Sequence, residues 1–299
     1  TPPGAAGPAP IRFFDMPEIF RVPPSPDVLR QPWAYHRMGR IVDYEDTLGP
    51  DSYCGGPAFF EGAFSGCQTE LGDFPGGLKD LATEVPEVRD ALVESYVNWV
   101  LETDIDGFRI DTLKHVEHSF WRYFNTEVRR RLAERGKTNF FQFGEAFDGR
   151  DWLLGSYVRP GELDSVFYFS QKFEVFRNVF QQEQSTASIW RLFDQRDDNY
   201  SDAPQEMGIG ISPRQALVNF LDNHDVSRFL YGDGVTPSSP QQLRAALAYL
   251  LTEDGIPCIY YGTEQDFAGG NNPANHEPLW WSDYSQEDET FQWITRLSR

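Results

Sequence analysis

The sequence predicts an α/β fold of parallel strand–helix units, preceded by an irregular, loop-rich segment. Strand-length apolar stretches alternate with stretches of helical period over about 170 residues, the pattern of parallel βα units. Thirteen of the 21 prolines fall before residue 90, where neither period is sustained. With 40% hydrophobic and 15% aromatic residues in 299, the chain can bury a sizeable core.

The opening segment, rich in Pro, Gly and aromatics, reads as a small irregular subdomain over 1–85. From Pro86 the texture changes. Val88, Leu92, Tyr96 and Trp99/Val100 recur at helical spacing, and Pro86 suits a first turn. GFRID (107–111) reads as a strand, followed by a helix marked by Val116, Phe120, Phe124, Val128 and Leu132. NFFQFGEAF (139–147) is the second strand and SVFYF (165–169) the third, leading into a helix with Phe173, Phe176 and Phe180 on one side. ALVNFL (216–221) is the fourth. The next helix has Ser239 as N-cap, Pro240 at its first position, and Leu243, Ala246, Leu247, Leu250 and Leu251 on one face. IPCIYYG (256–262) is the fifth strand. Five such units do not close an eight-stranded barrel. The sheet is either open or part of a larger one.

A net charge of −20 repels phosphate backbones and anionic lipid, so neither nucleic acid nor membrane is an expected partner. No apolar run approaches the length of a membrane span. Cys54 and Cys67, in a Gly-rich stretch, could pair in an exported protein, whereas Cys258 reads as a buried core residue. No Cys/His spacing suits zinc. The first residues carry no export signal, and localisation and oligomeric state are left open.

Three strand ends carry the chemistry. Along Asp106–Asp111, Arg109 and Asp111 share the side opposite Phe108 and Ile110. A cation beside Asp111 favours its ionised form. Glu145 follows the apolar Phe140, Phe141 and Phe143, where partial desolvation raises a carboxyl pKa and suits it to acid work. The fourth strand runs into Asp222, Asn223, His224 and Asp225. Singly these read as an ion pair, a helix cap and a polar turn. Jointly they put carboxylates at the C-terminal ends of successive strands, where α/β enzymes assemble their sites. Two carboxylates flanking a scissile bond are the usual apparatus of glycoside cleavage.

GFRIDTLKHV (107–116), FGEAF (143–147) and FLDNHD (220–225) resemble signature regions of the α-amylase family of glycoside hydrolases, in the family's order. LKDLATEVPEVRDAL (78–92) resembles the end of the domain which that family inserts after its third barrel strand, and GIPCIYYGTE (255–264) its eighth strand. The resemblance implies part of a TIM (β/α)8 barrel, about strands 4–8 over 86–299, with 1–85 as the inserted domain. By this likeness Asp111 is the nucleophile, Glu145 the acid/base and Asp225 the third carboxylate. Arg109 orients Asp111, His224 donates to the bound sugar, and Lys114 and His115 hold the leaving-group side of an α-glucan. Asp80 and the main-chain carbonyl of His115 are implied as calcium ligands; no organic cofactor is implied. The family's first signature and first three strands are absent. The chain is therefore expected to be a fragment, poorly soluble and inactive when expressed alone.

The implied activity is retaining hydrolysis of α-1,4-linked glucans, starch and maltooligosaccharides, through a covalent glycosyl-enzyme. The alternatives are a glucanotransferase of the same family and a non-catalytic barrel relative. The second usually lacks the acidic residues found here.

Overall fold

The computed structural model describes residues 27–36, 41, 44, 68–74, 78–232, 234 and 236–299. Most of the opening segment, and the expected Cys54–Cys67 pairing, lie outside the described residues. Its described parts are short turns, among them Asp27–Arg30, Pro32–Ala34 and the one-turn helix α1 (Gln68–Leu71). The chain divides into two compact units.

The first unit comprises Thr1–Ala146, Ser156–Asp164 and Pro204–Gly210. Helix α2 (Pro86–Thr103) starts at the expected proline, buries Val88, Ala91, Val93, Val97 and Val100, and ends on Asp104 in the left-handed region. Strand β1 (Gly107–Ile110) follows, then α3 (His118–Ala133), which buries Phe120, Trp121, Phe124, Val128 and Leu132. Val116, expected on that stripe, precedes the helix in extended backbone. Strand β2 (Phe141–Gly144) pairs parallel with β1, Arg109 opposite Phe143 and Ile110 opposite Gly144. Phe108 turns to the helical layer, meeting Phe140 and Tyr96 edge-on at 4.8 and 5.6 Å. The opposite face of the strand is left to Arg109.

The second unit comprises Phe147–Gly155, Ser165–Ala203 and Ile211–Arg299. Its elements are α4 (Asp151–Ser156), β3 (Ser165–Val166), α5 (Phe169–Gln171), α6 (Ala187–Asn199), β4 (Val218–Phe220), α7 (Pro240–Thr252), β5 (Ile256–Cys258) and α8 (Glu289–Leu297). Strand β4 pairs parallel with β5 along Val218–Phe220, and Phe167, just past β3, forms a parallel bridge with Val218. The core gathers Phe176, Leu221, Phe229 and Leu230 against Leu243, Ala246, Leu247 and Leu250 of α7, the predicted stripe. Ser239 Oγ accepts from Gln242 N–H (3.2 Å) while Gln242 Oε1 accepts from Ser239 N–H (2.7 Å), a reciprocal cap.

The sequence predicts longer strands than form, because apolar residues flanking a ladder extend the pattern without joining it. It also predicts an ordinary helix around Phe173, Phe176 and Phe180. The backbone from Lys172 to Gln181 winds instead as a π-helix, whose wider turns bury Lys172, Val175 and Phe176. Helices α6 and α8 were not expected. Among the described residues no helix is long and apolar enough to cross a membrane.

Two substitutions test this packing by shift of the denaturant midpoint. Leu247→Ala, at a fully buried site, is expected to cost about 3 kcal/mol, cavity included. Ser239→Ala, which removes only the cap, is expected to cost about 1 kcal/mol.

Candidate active site

The parallel register sets Arg109 one position before the end of β1 and Glu145 one position beyond β2. Main-chain bonds continue past both strands. Glu145 N–H donates to Ile110 O (2.8 Å), and Leu113 N–H donates to Glu145 O (2.7 Å). The stretch bearing Asp111 is thereby laced to the residue bearing the second carboxyl. Gly144 permits the approach: a Cβ there would lie 2.6 Å from Cγ of Leu113, a fully buried side chain. Thr112, next to Asp111, has φ of +54°, a strained setting for a β-branched residue.

Arg109 spans both acids. Its Nη1 lies 2.9 Å from Asp111 Oδ1 and its Nη2 lies 3.4 Å from Glu145 Oε1. The two acids differ in setting: the Asp111 side chain is 66% exposed and that of Glu145 only 7%. Partial burial raises the Asp111 pKa, but a hydrogen bond with Glu145 and the Arg109 charge outweigh it, holding the carboxyl below the usual range. Asp111 thus stands as an exposed anion beside a nearly buried second carboxyl, with Arg109 reaching both.

Lys114 and His115 follow on a short 3₁₀ turn (Leu113–His115). Lys114 is buried. His115 Nδ1 is 2.8 Å from Thr69 O, and its ring meets Phe74 and Tyr44 edge-on. Burial drives its pKa down to about 4, so it is a neutral imidazole with Nδ1 as the donor.

In the second unit, β4 delivers a tight polar turn. Asn223 Oδ1 accepts from the N–H groups of Asp225 (2.8 Å) and Val226 (3.1 Å), and His224 Nε2 lies 3.1 Å from Asp225 Oδ2. Both His224 and Asp225 are open to solvent, at 47% and 42% side-chain exposure. Beneath them Asp222 is buried, accepting from Phe229 N–H (2.7 Å) and Thr263 Oγ1 (3.3 Å). Arg228, fully buried, stacks 4.1 Å over the Tyr260 ring and donates to Tyr261 O (2.6 Å) and Glu277 Oε2 (3.0 Å). Asn275 sits under the same turn. The sequence reading missed Arg228, Asn275 and Glu277. Their partners are main-chain groups, aromatic rings and one another, and no motif or period marks such contacts.

So the structure brings Arg109, Asp111 and Glu145 together in one unit and joins His224 to Asp225 in the other. Among the described residues no three His, Cys, Asp or Glu side chains converge to hold a metal. The Asp80 carboxyl, expected to bind calcium, faces His36 Nδ1 at 2.5 Å, and Glu84 holds the other ring nitrogen at 3.0 Å. Burial raises the Asp80 pKa to about 7 against the pull of His36, with the Glu117 and Glu84 charges adding to the rise. The described donors do not by themselves form a calcium shell, and no step below is routed through a metal.

A rival arrangement occurs in the first unit. His118 Nδ1 is 3.1 Å from Glu162 Oε2, and Ser156 Oγ is 3.5 Å from His118 Nε2, the order of a serine-hydrolase triad. Yet Ser156 is 2% exposed, Glu162 is fully buried, and Tyr157 stacks on the imidazole at 4.4 Å. No substrate carbonyl can reach that hydroxyl. It is a buried brace.

Comparison with known proteins agrees with the parallel α/β units and the acidic strand ends. The chain belongs to the α-amylase family: residues 67–295 match the model of the α-amylase catalytic domain. It is 35% identical over 234 residues to a β/α-amylase of Paenibacillus polymyxa, covering 77% of this chain and 17% of that protein. It is 32% identical over 270 residues to an α-amylase of Streptomyces lividans, covering 86% and 28%. The chain thus spans under a third of the length of these curated relatives. Among solved structures, an α-amylase of Geobacillus thermoleovorans complexed with acarbose is 28% identical with a TM-score of 0.66, over 85% of this chain and 51% of that one. An Anoxybacillus α-amylase is 29% identical with a TM-score of 0.65, over 85% and 50%. A catalytic domain of this family implies a TIM barrel.

The electrostatic pairing has a readable consequence in the complete protein. The depressed pKa keeps Asp111 ionised to below the usual carboxylate range. An activity that needs this carboxylate charged is therefore lost only as pH falls through that lowered value. Arg109→Leu removes the cation, so the acid limb of kcat/KM is expected to move to higher pH. A limb that stays in place would show that Arg109 does not set the Asp111 charge.

Proposed function

We propose that this chain supplies the central and C-terminal part of a retaining α-glucan hydrolase, with starch and maltooligosaccharides as substrates. The observation that carries the reading is the carboxyl pair, an exposed Asp111 and a nearly buried Glu145 bridged by Arg109 at 2.9 and 3.4 Å. Inverting glycosidases hold their carboxyls roughly 6.5–9.5 Å apart to admit a water between them, whereas retaining enzymes bring them within about 5–5.5 Å. One guanidinium within 3.4 Å of both carboxyls keeps them close together, which supports the retaining course.

In the proposed cycle the anomeric carbon is attacked by an Asp111 carboxylate oxygen as its bond to the glycosidic oxygen breaks. Glu145 delivers its proton to that departing oxygen, and a covalent glycosyl-enzyme results. Glu145, now a carboxylate, takes a proton from water. The hydroxide so formed attacks the same carbon and expels Asp111, and two inversions give net retention. On the likeness of its motif, Asp225 is assigned to the hydroxyls of the sugar being cleaved and to the oxocarbenium-like charge. His224 is assigned to the same sugar, and Lys114 and His115 to the leaving-group side. A neutral His115 suits an uncharged glucan, to which it can donate or accept. Residues 1–85 are assigned to the inserted subdomain and 86–299 to barrel strands 4–8.

Relatives that carry the family's chemistry include a cyclomaltodextrin glucanotransferase of a Bacillus species, 31% identical over 215 residues. A sugar hydroxyl in place of water would give that outcome from the same intermediate, and the product profile on maltoheptaose separates the two.

Glu145→Gln in the complete protein is expected to lower turnover of starch by 10²–10⁴-fold, the range of lost general acid catalysis. Formation of the glycosyl-enzyme from an aryl α-maltoside with a good leaving group should be spared. Retained starch hydrolysis would remove Glu145 from the acid role. Proton NMR of early product should show the α-anomer; β-anomer first would sink the double displacement.

A further inference from the structure

The turn that presents His224 and Asp225 is held from below by one carboxamide. Asn275 Nδ2 lies 3.1 Å from Asn223 O, 2.8 Å from His224 O and 2.9 Å from Val226 O, and the residue is 0% exposed. A carboxamide nitrogen has two hydrogens, so three carbonyls share two protons. Such a convergence fixes the amide with its nitrogen toward the turn. It also fixes the turn, because those carbonyls flank Asp225 on both sides in sequence.

Other links tie the same two segments. His276 Nε2 lies 3.2 Å from His224 O, and Ser227 Oγ donates to Asn271 Oδ1 (2.6 Å). Arg228 N–H donates to Gly269 O (3.0 Å), and the Arg228 guanidinium pairs with Glu277, which also accepts from Gly269 N–H (2.5 Å). All of these lie within the second unit. Asn275 is the member that meets the carbonyls around Asp225 itself, and it makes no contact of its own with solvent. Its place is under the proposed sugar-binding residues, not among them.

We infer that Asn275 is a positioning residue whose carboxamide sets the place of the Asp225 carboxylate. The inference rests on the role proposed for Asp225. Remote groups of this kind act through geometry, and a displacement of about 1 Å can cost on the order of 10² in rate. Replacing the donor by an acceptor should be as damaging as deleting it, since an oxygen at that point faces three carbonyl oxygens.

The test uses the complete protein with soluble starch and an aryl α-maltoside. Asn275→Ala deletes the donor, and the near-isosteric Asn275→Asp keeps the volume while turning the donor into an acceptor. Both are expected to lower kcat on both substrates by roughly a hundredfold, with KM changed far less; both also lower the melting temperature, so rates are compared where every variant is folded. Loss irrespective of leaving group separates this effect from loss of the acid. In a double-mutant cycle, adding Asn275→Ala to Asp225→Asn should cost little more than Asp225→Asn alone, because residues that act as a unit are not additive.

Additive losses would overturn the inference, and so would full activity of both Asn275 variants beside a crippled Asp225→Asn. Failure of both Asn275 variants to fold while Asp225→Asn folds would make Asn275 a purely structural residue and overturn it as well. Full activity of Asp225→Asn is a separate outcome: it removes Asp225 from the proposed function, and the inference falls with it.

Discussion

Everything at the candidate site depends on two acids being allowed to touch. Two ionised carboxylates side by side repel, and in a chain of net charge −20 the surroundings add to the repulsion. One guanidinium shared between them eases the conflict here. Glu145 is nearly buried, in a setting that disfavours a bare charge. Asp111, well exposed, carries the charge where water and Arg109 both stabilise it. The difference between the two carboxyls is thus a difference of environment imposed by the backbone. It follows from the register, which ends β1 and β2 level with each other and lets Ile110 and Glu145 exchange main-chain contacts across the gap.

The second unit solves a related problem with neutral groups. A turn of four polar residues must leave a strand without fraying, because its backbone would otherwise sample many shapes. Asn223 folds over the amides of Asp225 and Val226, Asp222 reaches forward to the amide of Phe229, and Asn275 gathers the carbonyls. The donors and acceptors that a strand would have paired are satisfied by side chains instead. Where the first unit stores strain at Thr112, the second accumulates hydrogen bonds. Each gives a carboxylate that projects from a fixed base.

Much of this was legible in the amino-acid order. The stripe of α7 and its Ser239 cap could be read because helical period and capping chemistry are local. The charges of Arg109, Asp111 and Glu145 about the ends of β1 and β2, and of Asp225 in the turn after β4, stood out because each adjoins an apolar run. The π winding from Lys172 to Gln181 was not legible, since Phe173, Phe176 and Phe180 fit an ordinary helix equally well. Helix α6 escaped notice because it buries only Leu192 and Arg196, too little to leave a stripe. Asn275 and Arg228 escaped because their partners are carbonyls and rings remote in sequence, which no period encodes.

Burying charge beneath a site is costly, and the second unit does so openly. Asp222, Lys172 and Arg228 are all buried around the foot of β4. Burial raises the Asp222 pKa, against the pull of the Phe229 amide, Arg228 and Lys172; burial also lowers that of Lys172 to about 8. Replacing such a network with well-packed apolar residues is often neutral or stabilising, so stability is a weak reason to keep it. Position is a better one. An apolar contact tolerates sliding, whereas Arg228 must meet one carbonyl, one carboxylate and one ring at once. A polar turn whose base is fixed in this way cannot shift without breaking several bonds together, and that rigidity is what a carboxylate needs if it is to meet charge developing on a sugar.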